Sequence, residues 1–216
     1  MKTCARSKWV VATGLTFALV ATLAAADVAD TFNRADSDKP GRTETGDAVW
    51  TPVAANNPKA VQIMNKRLLL DYNLGPSPTV ACALEKFRAA DLDVSFIAYF
   101  HYDGESRLAG VSYRLESPVG VFNDPGYHVF LNPAYVVLTY GPRELARKEA
   151  AFPVQTDHKV RVVVQGQRHQ VYVNDQLLLD VKDETTTDPG HVSFCVYYQQ
   201  LYVGGVNITV LKQAQE

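Results

Sequence analysis

The sequence predicts an all-β protein, an antiparallel β-sandwich behind a leader segment, and three observations carry that prediction. Apolar and polar residues alternate with a period of two in run after run, the pattern of strands with one buried face. The runs are short and lie about 8–12 residues apart, the spacing of a sandwich or barrel. Between them stand Asp103-Gly104, Asp124-Pro125-Gly126, Asn132-Pro133, Gly141-Pro142 and Asp188-Pro189-Gly190. Such groups reverse a chain because Gly, Asn and Asp tolerate positive φ and Pro presets φ.

The chain begins with Lys2, Arg6 and Lys8, then the apolar run Val10 to Leu23, then Ala24, Ala25 and Ala26. A basic start, a short apolar core and a small-residue cleavage site predict a signal peptide over residues 1–26. The run falls short of the about 20 residues that a membrane span needs. No Cys follows it to carry a lipid. The predicted location is therefore secreted, periplasmic or at the cell surface, with no membrane contact after cleavage.

The 216 residues hold 21 Lys and Arg against 23 Asp and Glu. Three of the basic residues and none of the acidic ones leave with the leader, so 18 face 23 and the net charge is near −5. No basic cluster is present, which excludes nucleic acid as a partner, since phosphate contacts need grouped Lys and Arg. Residues 27–211 are enough for one core and predict one sandwich domain; residues 212–216 are predicted to be a disordered tail.

The strands follow in order. Val80, Cys82 and Leu84 share one face; Val94, Phe96, Ala98 and Phe100 alternate with Ser95, Ile97, Tyr99 and His101. Val111, Tyr113 and Leu115 alternate with Ser112, Arg114 and Glu116, and Tyr127, Val129 and Leu131 with His128, Phe130 and Asn132. Arg143 to Ala151 has helix-favouring composition but alternates weakly between strand-like neighbours, so a strand is predicted. Val160 to Asp183 reads as a three-stranded meander turned at Gly166-Gln167 and Asn174-Asp175, with Val171 and Val173 inward and Gln170 and Tyr172 outward. Cys195 falls between Phe194 and Val196, hence on the face opposite theirs. Cys82 and Cys195 are then expected as packed thiols rather than as a bridge.

If the strands carrying them are neighbours, the outward residues Tyr99, His101, Ser112, Arg114 and His128 form one face. Two imidazoles offer bases or metal ligands, a guanidinium offers two-point recognition of hydroxyls or a carboxylate, and Tyr offers a stacking ring with a hydroxyl. The bland alternative is an ordinary solvated sheet face. Tyr172, Tyr197, Tyr198 and Tyr202 add aromatics that serve either as ligand contacts or as seals on the core edge.

The opening DTFNRADSDKPGRTETGDAVWTPV, the strand AGVSYRLE, the stretch HKVRVVVQGQRHQVYVNDQLLLDVKDETTTDPGHVSF and the ending YVGGVNITVL together resemble the concanavalin A-like lectin/glucanase superfamily, especially its laminin-G-like modules. The resemblance covers nearly all of the chain after the leader. It implies a jelly-roll sandwich whose last strand pairs with the first, and a glycan on a sheet face or along its loops. The pair AGVSYR and GYHVFL resembles the 3-keto-disaccharide hydrolase-like branch, with Arg114 at the branch's Arg and His128 where the branch usually has Glu. That resemblance implies an enzyme with His128 as base, supported by His101 and Arg114. Laminin-G-like modules also imply a Ca²⁺, for which Asp103, Asp124 and Asp183 are the loop carboxylates; no cofactor is required by the residues themselves.

Glucanases of this fold carry two carboxylates on one strand. Here only Asp91-Leu92-Asp93 comes near, where a turn leads into a strand. The sequence therefore predicts a secreted carbohydrate-binding module, with two alternatives: an enzyme cleaving 3-keto-glycosides, or a structural module that binds protein at a sheet edge.

Overall fold

The structure, a computed structural model, describes residues 27–53, 57–74, 77–118 and 123–212. The predicted leader, residues 1–26, and residues 213–216 of the predicted tail fall outside these. Sixteen strands run through the described residues: β1 (Val28–Asp30), β2 (Gly41–Arg42), β3 (Val49–Pro52), β4 (Val61–Met64), β5 (Arg67–Asp71), β6 (Thr79–Glu85), β7 (Leu92–Phe100), β8 (Leu108–Leu115), β9 (Tyr127–Asn132), β10 (Tyr135–Tyr140), β11 (Arg143–Glu149), β12 (His158–Gln165), β13 (Arg168–Val173), β14 (Gln176–Lys182), β15 (His191–Tyr197) and β16 (Gln200–Val210). Among the described residues, helix is confined to single 3-10 turns at Pro58–Ala60 and Tyr72–Leu74.

The strands form two antiparallel sheets. One, the β7 sheet, has the order β14-β13-β12-β7-β16-β5-β4, with β1 also paired to β16. The other, the β8 sheet, has the order β11-β10-β9-β8-β15-β6-β3-β2. The first strand pairs with the last, Val28 opposite Ile208, as the sequence resemblance implied. Edge strands β11 and β14 meet and close one side of the sandwich.

The meander at Val160 to Asp183 becomes β12, β13 and β14. Its second turn has Asn174 at φ 50° and Asp175 at φ 64°, the left-handed pair of a type I′ hairpin. The Arg143 segment is the edge strand β11, paired to β10 despite its helical composition.

Between the sheets lies the core. β7 places Leu92, Val94, Phe96, Ala98 and Phe100 inward in strict alternation. Each of the four larger side chains contributes roughly 1.5–3 kcal/mol, Ala98 less. The rings of Phe32, Trp50, Phe194 and Phe96 run through the middle at centroid distances of 5.7, 5.7 and 4.8 Å. The opening motif ties this end together. Buried Asp30 accepts from both terminal nitrogens of Arg34 (2.8 and 2.9 Å), the Phe32 amide and the Trp50 indole (2.8 Å). A buried carboxylate is tolerated because its lone pairs are filled.

One expectation is corrected. β8 and β9 are buried on both faces, not one. On the outer face of the β8 sheet, Ala81, Leu108, Phe130, Val137 and Cys195 form a second apolar cluster, flanked by Val53, Tyr135 and Tyr197. Period-two alternation reports which face a residue takes, and here both faces are covered. Cys82 and Cys195 are free buried thiols on opposite faces of neighbouring strands.

Candidate functional site

The five residues singled out from sequence do not share a face. Tyr99 and His101 belong to β7 and its end, in one sheet; Ser112, Arg114 and His128 belong to β8 and β9, in the other. The connection after β7 crosses between sheets, so strands adjacent in sequence are not adjacent in space. The grouping is corrected accordingly, and each half has its own geometry.

Tyr99 and His101 line an open pocket of about 520 Å3 with Asn65, Arg67, Gln155, Asp157 and Tyr202. Tyr99 on β7 and Tyr202 on β16 are register partners, and their rings meet edge to face at 5.7 Å. The β4–β5 turn, with Asn65 at φ 53° and Lys66 at φ 58°, brings Arg67 to the first position of β5. Its guanidinium lies 5.7 Å from the Tyr99 ring centre, with Gly204 leaving room beside it. Asp157 arrives from the segment before β12. That segment is held by the Gln155 amide on the Phe100 carbonyl and by buried His158 stacked at 5.2 Å on Phe100.

Arg67 meets Asp157 in a two-point ion pair at 2.6 and 2.8 Å. The hydrogen bonds from Arg67 hold the Asp157 carboxyl below its ordinary range and in turn raise the guanidinium. A guanidinium has five N–H donors, and Asp157 takes two. The pocket thus offers donors and acceptors side by side, next to exposed ring surface, with no net charge from the pair.

The other half is closed. Ser112 Oγ lies 2.7 Å from His128 Nδ1, and His128 Nε2 lies 3.0 Å from the Asp124 carbonyl. A carbonyl only accepts, so Nε2 carries the proton and Ser112 donates to Nδ1. Burial lowers the His128 pKa, which keeps the ring neutral. Cys195 Sγ sits 3.5 Å from Ser112 Oγ, and burial pushes that thiol up to about 12. Ser112 and His128 are both fully buried. A serine against a histidine is the pairing of an activated nucleophile, but here both ring nitrogens are engaged by the protein itself.

Arg114 is a structural tie. Its backbone sits at φ 50°, and its guanidinium reaches the carbonyls of Ala90, Thr186 and Gly166 at 2.7 Å each and Asp91 Oδ1 at 3.1 Å. Four acceptors from separate segments satisfy a side chain with no exposed surface.

The loop carboxylates do not converge on a cation. Asp103 accepts from the Gly104 amide; Asp183 accepts from Tyr127, Thr185 and Arg143. Burial works to raise Asp183, but the hydrogen bonds from Thr185 and Tyr127 outweigh it and bring the pKa down to about 2. Among the described residues no group of three His, Cys, Asp or Glu side chains is placed to hold a metal.

Sequence reasoning missed Arg67, Asp157, Asn65 and Gln155. Arg67 had a readable signal, as a polar residue leaving a tight turn into LLL. Asp157 had none, because its partner lies 90 positions away.

No protein-family model matches the chain, and no curated protein matches it in sequence. Solved structures match its fold. A carbohydrate binding module, CBM66, from Bacillus subtilis aligns with TM-score 0.60 at 12% identity, over 74% of this chain and 94% of that one. A structure described with endo-acting O-glycanases of human gut microbiota that initiate mucin breakdown aligns with TM-score 0.62 at 10% identity, over 87% and 100%. A Bacillus subtilis protein of unknown function with a galectin-like fold aligns with TM-score 0.60 at 9% identity, over 76% and 90%. At these identities the likeness is one of fold alone: the chain shares with these structures a two-sheet antiparallel β-sandwich.

Proposed function

We propose that this protein is an exported glycan-binding module whose site is the pocket between Tyr99, Tyr202, His101, Arg67 and Asp157. The observation that carries the reading is the two-point Arg67–Asp157 pair set beside the Tyr99–Tyr202 rings. A sugar has an apolar C–H face and a rim of hydroxyls that both donate and accept. Aromatic rings meet the face; a charge-bearing donor next to a charge-bearing acceptor meets neighbouring hydroxyls. Mixed lining with a few placed polar groups is the composition of small-ligand sites. A fold neighbour described as a carbohydrate binding module supports the same reading. The basic start and apolar run of residues 1–26 support export.

The 3-keto-glycoside alternative requires a base that substrate can reach. His128, with Ser112 on one nitrogen and Asp124 on the other, is occupied in the fold. Binding without turnover is therefore the reading adopted.

Thermal unfolding against a panel of glycans tests it. A ligand at about 100 times its dissociation constant adds roughly 2.7 kcal/mol to the folded state and raises the melting temperature. Tyr99→Ala and Tyr202→Ala are expected to remove the shift while leaving the unliganded melting temperature nearly unchanged. Undiminished affinity in both variants would exclude the pocket.

A further inference from the structure

The outer face of the β7 sheet carries a second arrangement of the same kind. Tyr172 on β13 has the Arg161 guanidinium 5.6 Å from its ring centre, and Arg161 is held by Asp93 at 2.6 to 3.1 Å. This repeats Tyr99, Arg67 and Asp157 in residue type and in contact. Leu177, the partner of Tyr172 on β14, is 44% exposed and extends the apolar surface beside the ring. Register places the two clusters on one sheet. Tyr172 is opposite Arg161, and Arg161 is opposite Ser95, four residues along β7 from Tyr99. Two strand spacings and four residue rises separate the rings by on the order of 16 Å.

Charge on this face is matched throughout. Besides Arg67–Asp157 and Arg161–Asp93, Lys159 pairs with Asp175 at 2.7 Å and Arg168 with Asp180 at 2.5 Å. The cations are spoken for by carboxylates, and the chain as a whole is acidic. A polyanion finds no net positive charge in these pairs, whereas a neutral chain of hydroxyls meets donors and acceptors side by side.

We propose that the two Tyr–Arg–Asp clusters are subsites for one neutral polysaccharide chain, laid across the β7 sheet from the Tyr99 pocket to Tyr172. The proposal rests on the glycan-binding reading above. It adds a second site, a chain length and a charge class.

Titration calorimetry of the full protein tests it, with neutral gluco-, xylo- and manno-oligosaccharides from disaccharide to hexasaccharide and oligogalacturonates as the charged counterpart. Affinity for the neutral series that binds is expected to rise at least roughly tenfold from disaccharide to hexasaccharide. Tyr172→Ala should erase that rise, keep the disaccharide affinity and keep the melting temperature. Length-independent binding, an unaltered rise in Tyr172→Ala, or tighter binding of oligogalacturonate would overturn the proposal and leave the Tyr99 pocket standing. Binding of none of these sugars would overturn it together with the reading beneath it.

Discussion

The two sheets carry similar residue types and put them to opposite uses. On the β7 sheet, Arg67 is 30% exposed, shares one carboxylate and faces an open pocket. On the β8 sheet, Arg114 has no exposed surface and binds four acceptors. His101 lines the pocket; His128 is sealed between Ser112 and Asp124. The difference teaches that residue type in an alternating strand does not define a site. What defines it is whether the polar groups are left with unspent hydrogen-bonding capacity at the surface.

Paired substitutions put that contrast at risk. The largest effect is expected for Arg114→Met, which takes the cation from buried Asp91 and a charged donor from three carbonyls and should cost roughly 3–5 kcal/mol in urea unfolding. Arg67→Met should stay within about 1 kcal/mol of wild type yet abolish measurable glycan binding. Equal stability losses in the two variants would break the comparison.

Next come the glycines. A Cβ at Gly110 would stand 1.9 Å from the Val129 carbonyl oxygen, so Gly110→Ala must push β8 from β9. A loss of about 3 kcal/mol is expected. At Gly204 the nearest atoms are 3.8 Å away, on Arg67 and Ile97. Gly204→Ala should therefore fall within about 0.5 kcal/mol in the same assay.

The histidines sharpen the contrast further. His128→Ala removes the imidazole that bonds the Ser112 hydroxyl and the Asp124 carbonyl, at a cost of about 1–3 kcal/mol, with glycan affinity intact. His101→Ala should do the reverse, lowering affinity and sparing the melting temperature.

A smaller effect is expected from acid. Burial lowers the His169 pKa to about 4, from an ordinary 6.5. The ring packs on Tyr127 at 4.2 Å and bonds the Tyr113 hydroxyl at 2.9 Å. The unfolded chain takes up that proton first, so stability is full above pH 6.5 and declines as pH falls towards 4. Urea midpoints across that window should fall in wild type and fall less steeply in His169→Gln. An identical slope in both would remove His169 as the cause.

Much of the fold was legible in the chain because turns and alternation are local. Asn174-Asp175 fixes a hairpin from its own φ values, and β7 reads inward and outward from five apolar residues in step. Even the opposed faces of Cys82 and Cys195 followed from their neighbours. The candidate site was half legible. Tyr99 and His101 were readable as outward residues, but their companions Arg67, Asp157 and Tyr202 come from three other segments. Which strands become neighbours is decided by how the sheets cross over, and no local pattern carries that. The burial of Ser112 and His128 was illegible for the same reason, since it depends on what covers the second face.

The two thiols leave adjacent strands in opposite directions, and this gives the molecule a pair of internal clocks. Cys195 waits under the outer cluster of the β8 sheet, while Cys82 waits between the sheets. An alkylating reagent added to the native protein should therefore mark Cys195 at the rate at which that cluster lifts, and Cys82 only at the rate at which the sandwich comes apart. Mass spectrometry of the two labelled peptides then separates breathing of one face from global opening in a single experiment.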